Sequence, residues 1–322
     1  MKTQKTVIIS LLSLILLLAT LICAVSLFSM PYKAISEISH VECDALPHHH
    51  ERLFGYLHSS ISTASSRSHT AGERFEDVQL HLYNEIAARL SDVAAGRLAS
   101  TEFAITSGLD ELSWTADELG CSIIENGQIT AKAEEEVNEE FNDEVSVHSL
   151  LYAIIEDFPY ELYWFDKLSG ISFYYTLSAS STKIRIDGVY LSLAVSSEYR
   201  SNESEFFKTD TAKTGAVGVA VTNAQRIIDE NKSKNDYDKL VAYCDAVCSL
   251  VTYDSAAAEN TSTYGSPWQM ISVFDNDSST NVVCEGYAKA FKYLCDNSAF
   301  DEDVYCYTVN GTMIAPTVTG PH

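Results

Sequence analysis

Ile171 to Val195 reads ISFYYTLSASSTKIRIDGVYLSLAV, and this stretch decides the fold class. β-Branched and aromatic residues dominate Ile171–Leu177, Lys183–Ile186 and Val189–Val195, so three short strands are predicted. Asp187-Gly188 between the last two is the short-range signal for a tight hairpin, because its turn needs left-handed backbone that Gly adopts freely. On the N-terminal side the period lengthens from two to 3.6. Val78, Leu82, Ile86, Leu90 and Val93 fall on one face of a helix beginning near Arg74. Val137, Phe141, Val145, His148, Leu151 and Ile155 form a second apolar stripe, ended by Pro159. The acids Glu134–Glu136, Glu139 and Glu140 then lie on the solvated face near that helix's N-terminus, where the dipole favours them. A calcium loop would want an interposed Gly, which this run lacks. Tyr160 to Phe165 (YELYWF) reads as extended, aromatic core. Helices covering a small antiparallel sheet make this part an α+β domain.

The chain of 322 residues exceeds one average domain and carries 46% hydrophobic residues, enough for a sizeable core. The expected organisation is a signal peptide or membrane anchor over 1–30 and a stalk over 31–70. An N-terminal α+β domain over 71–205 and a second domain over 219–322 follow, joined by the polar stretch from Ser201 to Gly218. Lys2 and Lys5 precede an uncharged run, Val7 to Met30, long enough to span a bilayer, so residues 7–30 read as a membrane anchor. Ala24-Val25-Ser26 offers small residues for cleavage, which would give a secreted protein. Both place the chain extracytoplasmically. Lys+Arg of 21 against Asp+Glu of 45 gives a net charge of −24, which repels phosphate backbones, so no nucleic-acid partner is expected. His48-His49-His50 reads as a solvated tract, since adjacent side chains in a regular element do not converge on one ion. The ligand spacings point to neither a metal nor an organic cofactor.

In the second domain Asn235 caps a helix with the stripe Tyr237, Leu240, Val241, Cys244, Cys248 and Val251, ending near Tyr253. On this stripe Cys244 and Cys248 are expected to pack as small hydrophobes. Further on, Asn281 is a candidate cap for a helix starting at Cys284, with Tyr287, Phe291, Leu294 and Cys295 on its apolar face. Glu285 with Lys289 and Lys292 with Asp296 make i,i+4 pairs on the other face. At a first helical turn, unpaired N–H groups and the positive end of the dipole favour thiolate over thiol and can face an oxyanion. Cys295 lies deep in the same helix, where desolvation favours the neutral thiol.

The segment Val283 to Phe291 (VCEGYAKAF), followed by Lys292-Tyr293-Leu294-Cys295, resembles the active-site segment of the transglutaminase-like superfamily: a helix-start Cys, then Gly-Tyr-Ala, then an aromatic and Leu. Val251-Thr252-Tyr253-Asp254 and Tyr264 to Phe274 (YGSPWQMISVF) resemble its bacterial extracellular branch. The likeness runs from about Tyr237 onward. It implies a partial papain-like core in which Cys284 attacks a carboxamide or peptide carbonyl to form a thioester. It also implies a base on a following strand, a position that falls at His322 after the strand-like Val304–Val309 and the Asn310-Gly311 turn. The aspartate that would orient the base belongs on a further strand that this sequence does not contain. The chain is therefore expected to be a fragment and catalytically incomplete, unless Asp254 substitutes. Trp268 and Gln269 are candidates to border the acyl site or aid the oxyanion. The implied substrate is a protein or peptide amide, with water or an amine as acceptor. The alternative is a cell-surface binding protein whose transglutaminase-like domain does not catalyse.

Overall fold

The computed structural model describes residues 70–214, 217–259 and 265–308 with their side chains, and the backbone alone of Ser39–Val41, Thr312–Ile314 and Thr319–Pro321. In chain order the main elements are β1 (Ser39–Val41), α1 (Asp77–Ala94), β2 (Glu102–Ile105), β3 (Ser113–Thr115), β4 (Ile124–Glu125) and β5 (Gln128–Ile129). There follow α2 (Ala131–Glu144), α3 (Val147–Asp157), β6 (Ile171–Ala179), β7 (Lys183–Leu193), α4 (Gly218–Asn231), α5 (Asp236–Leu250), α6 (Cys284–Asp296), β8 (Thr312–Ile314) and β9 (Thr319–Pro321). The predicted α+β class holds. A five-stranded antiparallel sheet has the order β1-β6-β7-β2, with β3 also paired to β7.

β6 and β7 pair through a reversal at Ser180–Thr182, not at Asp187-Gly188. Ser180 Oγ accepts from the N–H groups of Thr182 and Lys183, which closes that turn. Asp187 is the extra residue of a bulge: Thr176 faces Gly188 and Leu177 faces Ile186. The bulge explains why Ile186 and Val189 both point inward although three positions apart. Continuous pairing places Ile184, Ile186, Val189, Leu191 and Leu193 in the core. That burial outweighs the turn preference of one dipeptide.

All five predicted inward positions of α1 are buried. The second apolar stripe is two helices rather than one. Val145 ends α2, and Ser146 starts α3 by accepting from Ser149 N–H. The break lets Phe141 pack on Phe173 and Tyr175 of β6 while α3 buries Leu150, Leu151 and Ile154. Tyr160 to Trp164 is a run of turns and Phe165 makes a single antiparallel bridge to Val195, so the segment is not a strand, although Leu162, Tyr163, Trp164 and Phe165 are core as expected. Part of the segment read as a stalk is structural: Ser39–Val41 forms the sheet-edge strand beside Ile171–Phe173.

Nor is 201–218 a free passage. Val195 and Thr101 donate to the carbonyls of Phe206 and Phe207, and Thr209 donates to that of Ala99. Among the described residues the helices beyond it share one continuous core with the sheet. Asn235 caps α5 as predicted, accepting from Asp238 N–H at 3.0 Å. The inward face of α5, however, is Lys239, Tyr243 and Val247. Tyr243 Oη meets Ser298 Oγ at 2.6 Å and Lys239 Nζ donates to Ala299 O at 2.8 Å, so docking against the end of α6 sets the rotation. Cys244 and Cys248 are consequently exposed, contrary to the stripe reading, and Tyr237 is 74% exposed. Among the described residues no helix is long and apolar enough to cross a membrane; residues 7–30 and His48–His50 lie outside them.

Candidate functional site at the start of α6

Cys284 is the first residue of α6, half-buried, and Val283 at the cap position offers no side-chain hydrogen bond to the helix. Asn281, the expected cap, is engaged elsewhere: its Oδ1 accepts from Thr252 Oγ1 at 2.6 Å and Thr252 N–H at 3.3 Å. This contact belongs to a short parallel pairing, in which Val282 N–H donates to Thr252 O and Asp254 N–H donates to Val282 O. Val283 N–H donates to Pro267 O at 2.8 Å, fixing the other side of the helix start. Two loops thus clamp the three residues before Cys284.

The parallel pairing brings Tyr253 to Cys284. Its hydroxyl lies beside the Cys284 thiol, and loss of hydration followed by the sulfur's charge pushes the phenol above its ordinary range. The Tyr253 ring stacks on Tyr287 at 6.5 Å with planes 16° apart, and Tyr287 Oη donates to Val251 O at 3.0 Å. Tyr253 is a site residue that spacing alone does not reveal, because the bridge that carries it joins positions 29 residues apart in sequence.

Gly286 sits under this turn. A Cβ there would stand 2.7 Å from Val282 Cβ and 3.0 Å from Pro267 O, the carbonyl that holds Val283. Elsewhere in a helix Gly→Ala is worth about 1 kcal/mol in favour of Ala. Here the clash reverses the sign. Gly286→Ala is expected to lower stability by about 1–3 kcal/mol, read as a reduced urea midpoint; a raised midpoint would show that the clamp yields freely.

Beneath the turn, Glu285 accepts from Lys167 at 2.5 Å and Lys289 at 2.9 Å. Burial alone would raise the Glu285 carboxyl, but the two ammonium groups outweigh it and hold the carboxyl down to about 2. Lys289 also donates to Gln269 Oε1 at 3.1 Å, and Gln269 Nε2 donates to Leu162 O at 3.4 Å. Gln269 is fully buried, so its amide serves as a link in the core beneath α6. Trp268 is half-buried in the turn Ser266–Trp268, whose Pro267 carbonyl seats Val283. The pairs Glu285–Lys289 and Lys292–Asp296 both exist, but on a buried rather than a solvated face: Lys289 is 8% and Lys292 1% exposed. Asp254 is half-buried and caps the helical turn Ser255–Glu259 by accepting from Ala257 N–H at 2.9 Å.

The β-hairpin of β8 and β9 pairs Met313 with Gly320. Val304 to Thr308 has no strand pairing, and His322 lies outside the described residues. Among the described residues no group of three or more His, Cys, Asp or Glu side chains is placed to hold a metal ion. Comparison with family models, with curated proteins and with solved structures returned no match.

Proposed function

We propose that this protein is a transglutaminase-like cysteine enzyme acting on protein or peptide amides outside the cytoplasm, with Cys284 as nucleophile and His322 as general base. The observation that carries the reading is the seat of Cys284: first residue of an uncapped helix, half-exposed, and clamped by two loops while a tyrosine hydroxyl lies beside its sulfur. A thiolate there attacks the carbonyl carbon, and the C–N bond breaks as the leaving amine takes a proton from the imidazolium. Water or a second amine then opens the thioester. Tyr253, whose hydroxyl lies beside Cys284, must swing aside for a substrate oxygen to reach the Cys284 N–H; the residue is 45% exposed, which leaves room for this.

Cys244 and Cys248 supply the control, being more exposed than Cys284. A peptide carrying a chloroacetamide in place of the glutamine carboxamide is expected to alkylate Cys284 about tenfold faster than either, with the label lost in Cys284→Ala. Modification of Cys284 no faster than Cys248 would remove the case for a nucleophile.

A further inference from the structure

Cys295 and Cys306 are eleven positions apart, yet they are neighbours: Cys295 lies in the core and Cys306 packs against that core, each influencing the other's thiol. Cys295 lies in the last turn of α6 with no exposed surface, and Cys306 lies half-buried in the extended segment that returns along the helix. Each thiol lies close enough to shift the other's ionisation, Cys295 upward and Cys306 downward. Lys292, one turn earlier on α6, fixes the backbone beside them by donating from Nζ to Cys306 O at 3.3 Å.

The chain between the cysteines is held at its first half only. Ser298 is buried against Tyr243, and the N–H groups of Asp301 and Glu302 donate to the Asp236 carboxylate at 2.9–3.0 Å. From Asp303 to Thr308, among the described residues, no backbone–backbone hydrogen bond ties the segment down. Side chains alone keep it on the core, through partly buried Val304 and Cys306 and the contact of Thr308 with Glu156.

We propose that Cys295 and Cys306 form a disulfide that fastens the 303–308 segment to α6, by exchange with a disulfide-bearing oxidant such as glutathione disulfide. Cys306 is the first attacker. Cys306 is partly exposed and meets the oxidant, whereas Cys295 has no exposed surface. Burial in the core favours the neutral thiol of Cys295 until the second step. The Cys306 thiolate bonds to one glutathione sulfur and expels the other as thiolate, giving a mixed disulfide. Cys295 then loses its proton and attacks Cys306 Sγ, expelling the second glutathione thiolate. The protein loses two electrons and two protons, and both glutathione sulfurs are left as thiols.

Cys244 and Cys248 are neighbours too, but both project from one face of α5 one turn apart. Closing that pair strains a regular helix, whereas Cys295 and Cys306 come from separate segments. The inference does not depend on Cys284 being a nucleophile, and Cys284 is expected to stay free.

The experiment is peptide mapping of the full chain, reduced and then reoxidised with glutathione disulfide, with free thiols alkylated in urea without reductant. The expected result is a crosslinked peptide pair joining Cys295 to Cys306, with Cys244, Cys248 and Cys284 alkylated. Alkylated Cys295 and Cys306, or either one joined to another cysteine, would overturn the proposal. A second measurement covers misfolding on reoxidation. Reductant is expected to lower the melting temperature of the oxidised protein by about 5–10 °C, as for closure of a loop this short, and to leave Cys306→Ser unchanged. An equal drop in Cys306→Ser would assign the stabilisation to a different bond and also overturn it.

Discussion

Replacing Asp157 by Ala is expected to lower the unfolding free energy by about 3–5 kcal/mol, the range for stripping one partner from a buried, charged network. Asp157 ends α3, where its carboxylate adds negative charge to the negative end of a helix dipole. Three donors and one cation compensate. Ala71 and Gly72 N–H donate at 2.8 Å, Tyr83 Oη donates at 2.7 Å, and Lys292 Nζ stands 3.9 Å away. The Lys292 and Asp157 side chains are 1% and 0% exposed, so water cannot replace what the substitution removes. Three elements meet at this carboxylate: the 70–74 turn, α1 and α6. Equilibrium urea unfolding measures the loss, and Asp157→Asn, which keeps one acceptor oxygen, is expected to fall between the two. A loss under about 1 kcal/mol in Asp157→Ala would mean that the network relaxes onto Asp296, which already accepts from Lys292 at 2.8 Å.

The same carboxylate shows where sequence reading stops. Asp157 and Lys292 are 135 positions apart, and nothing in the spacing of either marks it as buried. Lys289 and Lys292 sit at i,i+4 from acids, which on an isolated helix describes a solvated face. Their burial follows from partners on other elements, Gln269 and Asp157. Periodicity succeeds where burial is decided by one helix against one sheet, as in α1, whose five predicted core positions are all buried. It fails on α5, where two hydrogen bonds from Lys239 and Tyr243 to the 298–299 turn set the rotation and leave the cysteines outside. The candidate site divides in the same way. Cys284 at a helix start is legible because helix termini have local chemistry. Tyr253 and the Pro267 clamp are not, because a parallel bridge and a loop carbonyl have no local signature.

Stability is expected to fall, not rise, between about pH 4.5 and 7, and Glu156 is the main reason, with the Glu161 carboxyl, also raised by burial, acting in the same sense. Glu156 is 5% exposed, its Oε1 has no hydrogen-bond partner, and burial raises its carboxyl from 4.5 to about 7 against the hydrogen bond from Tyr152. Asp157 adds to the rise, while Lys292 and Thr308 oppose it. Between those two values the folded state holds a proton that the unfolded state has lost, so each pH unit gained costs about 1.4 kcal/mol, or about 3 kcal/mol over the interval. Glu156→Gln keeps a neutral side chain of the same shape. It is expected to match the wild type near pH 4.5 and to exceed it by up to about 3 kcal/mol at pH 7.5, so that a core substitution stabilises the protein. Glu285 has the opposite sign. Its carboxyl is held at about 2 by Lys289 and Lys167 despite burial, so its stabilisation is present above pH 4.5 and lost as the pH falls toward 2. With 20% of its side chain exposed, solvent screening keeps that contribution below about 3 kcal/mol. The wild-type curve should therefore peak near pH 4.5–5. Urea unfolding of wild type and both Gln variants at unit steps from pH 3 to 8 separates the two limbs: Glu156→Gln flattens only the neutral side and Glu285→Gln only the acid side. A Glu156→Gln curve parallel to the wild type from pH 4.5 to 7.5 would mean that Glu156 titrates as an ordinary carboxylate, with water reaching its unpartnered oxygen.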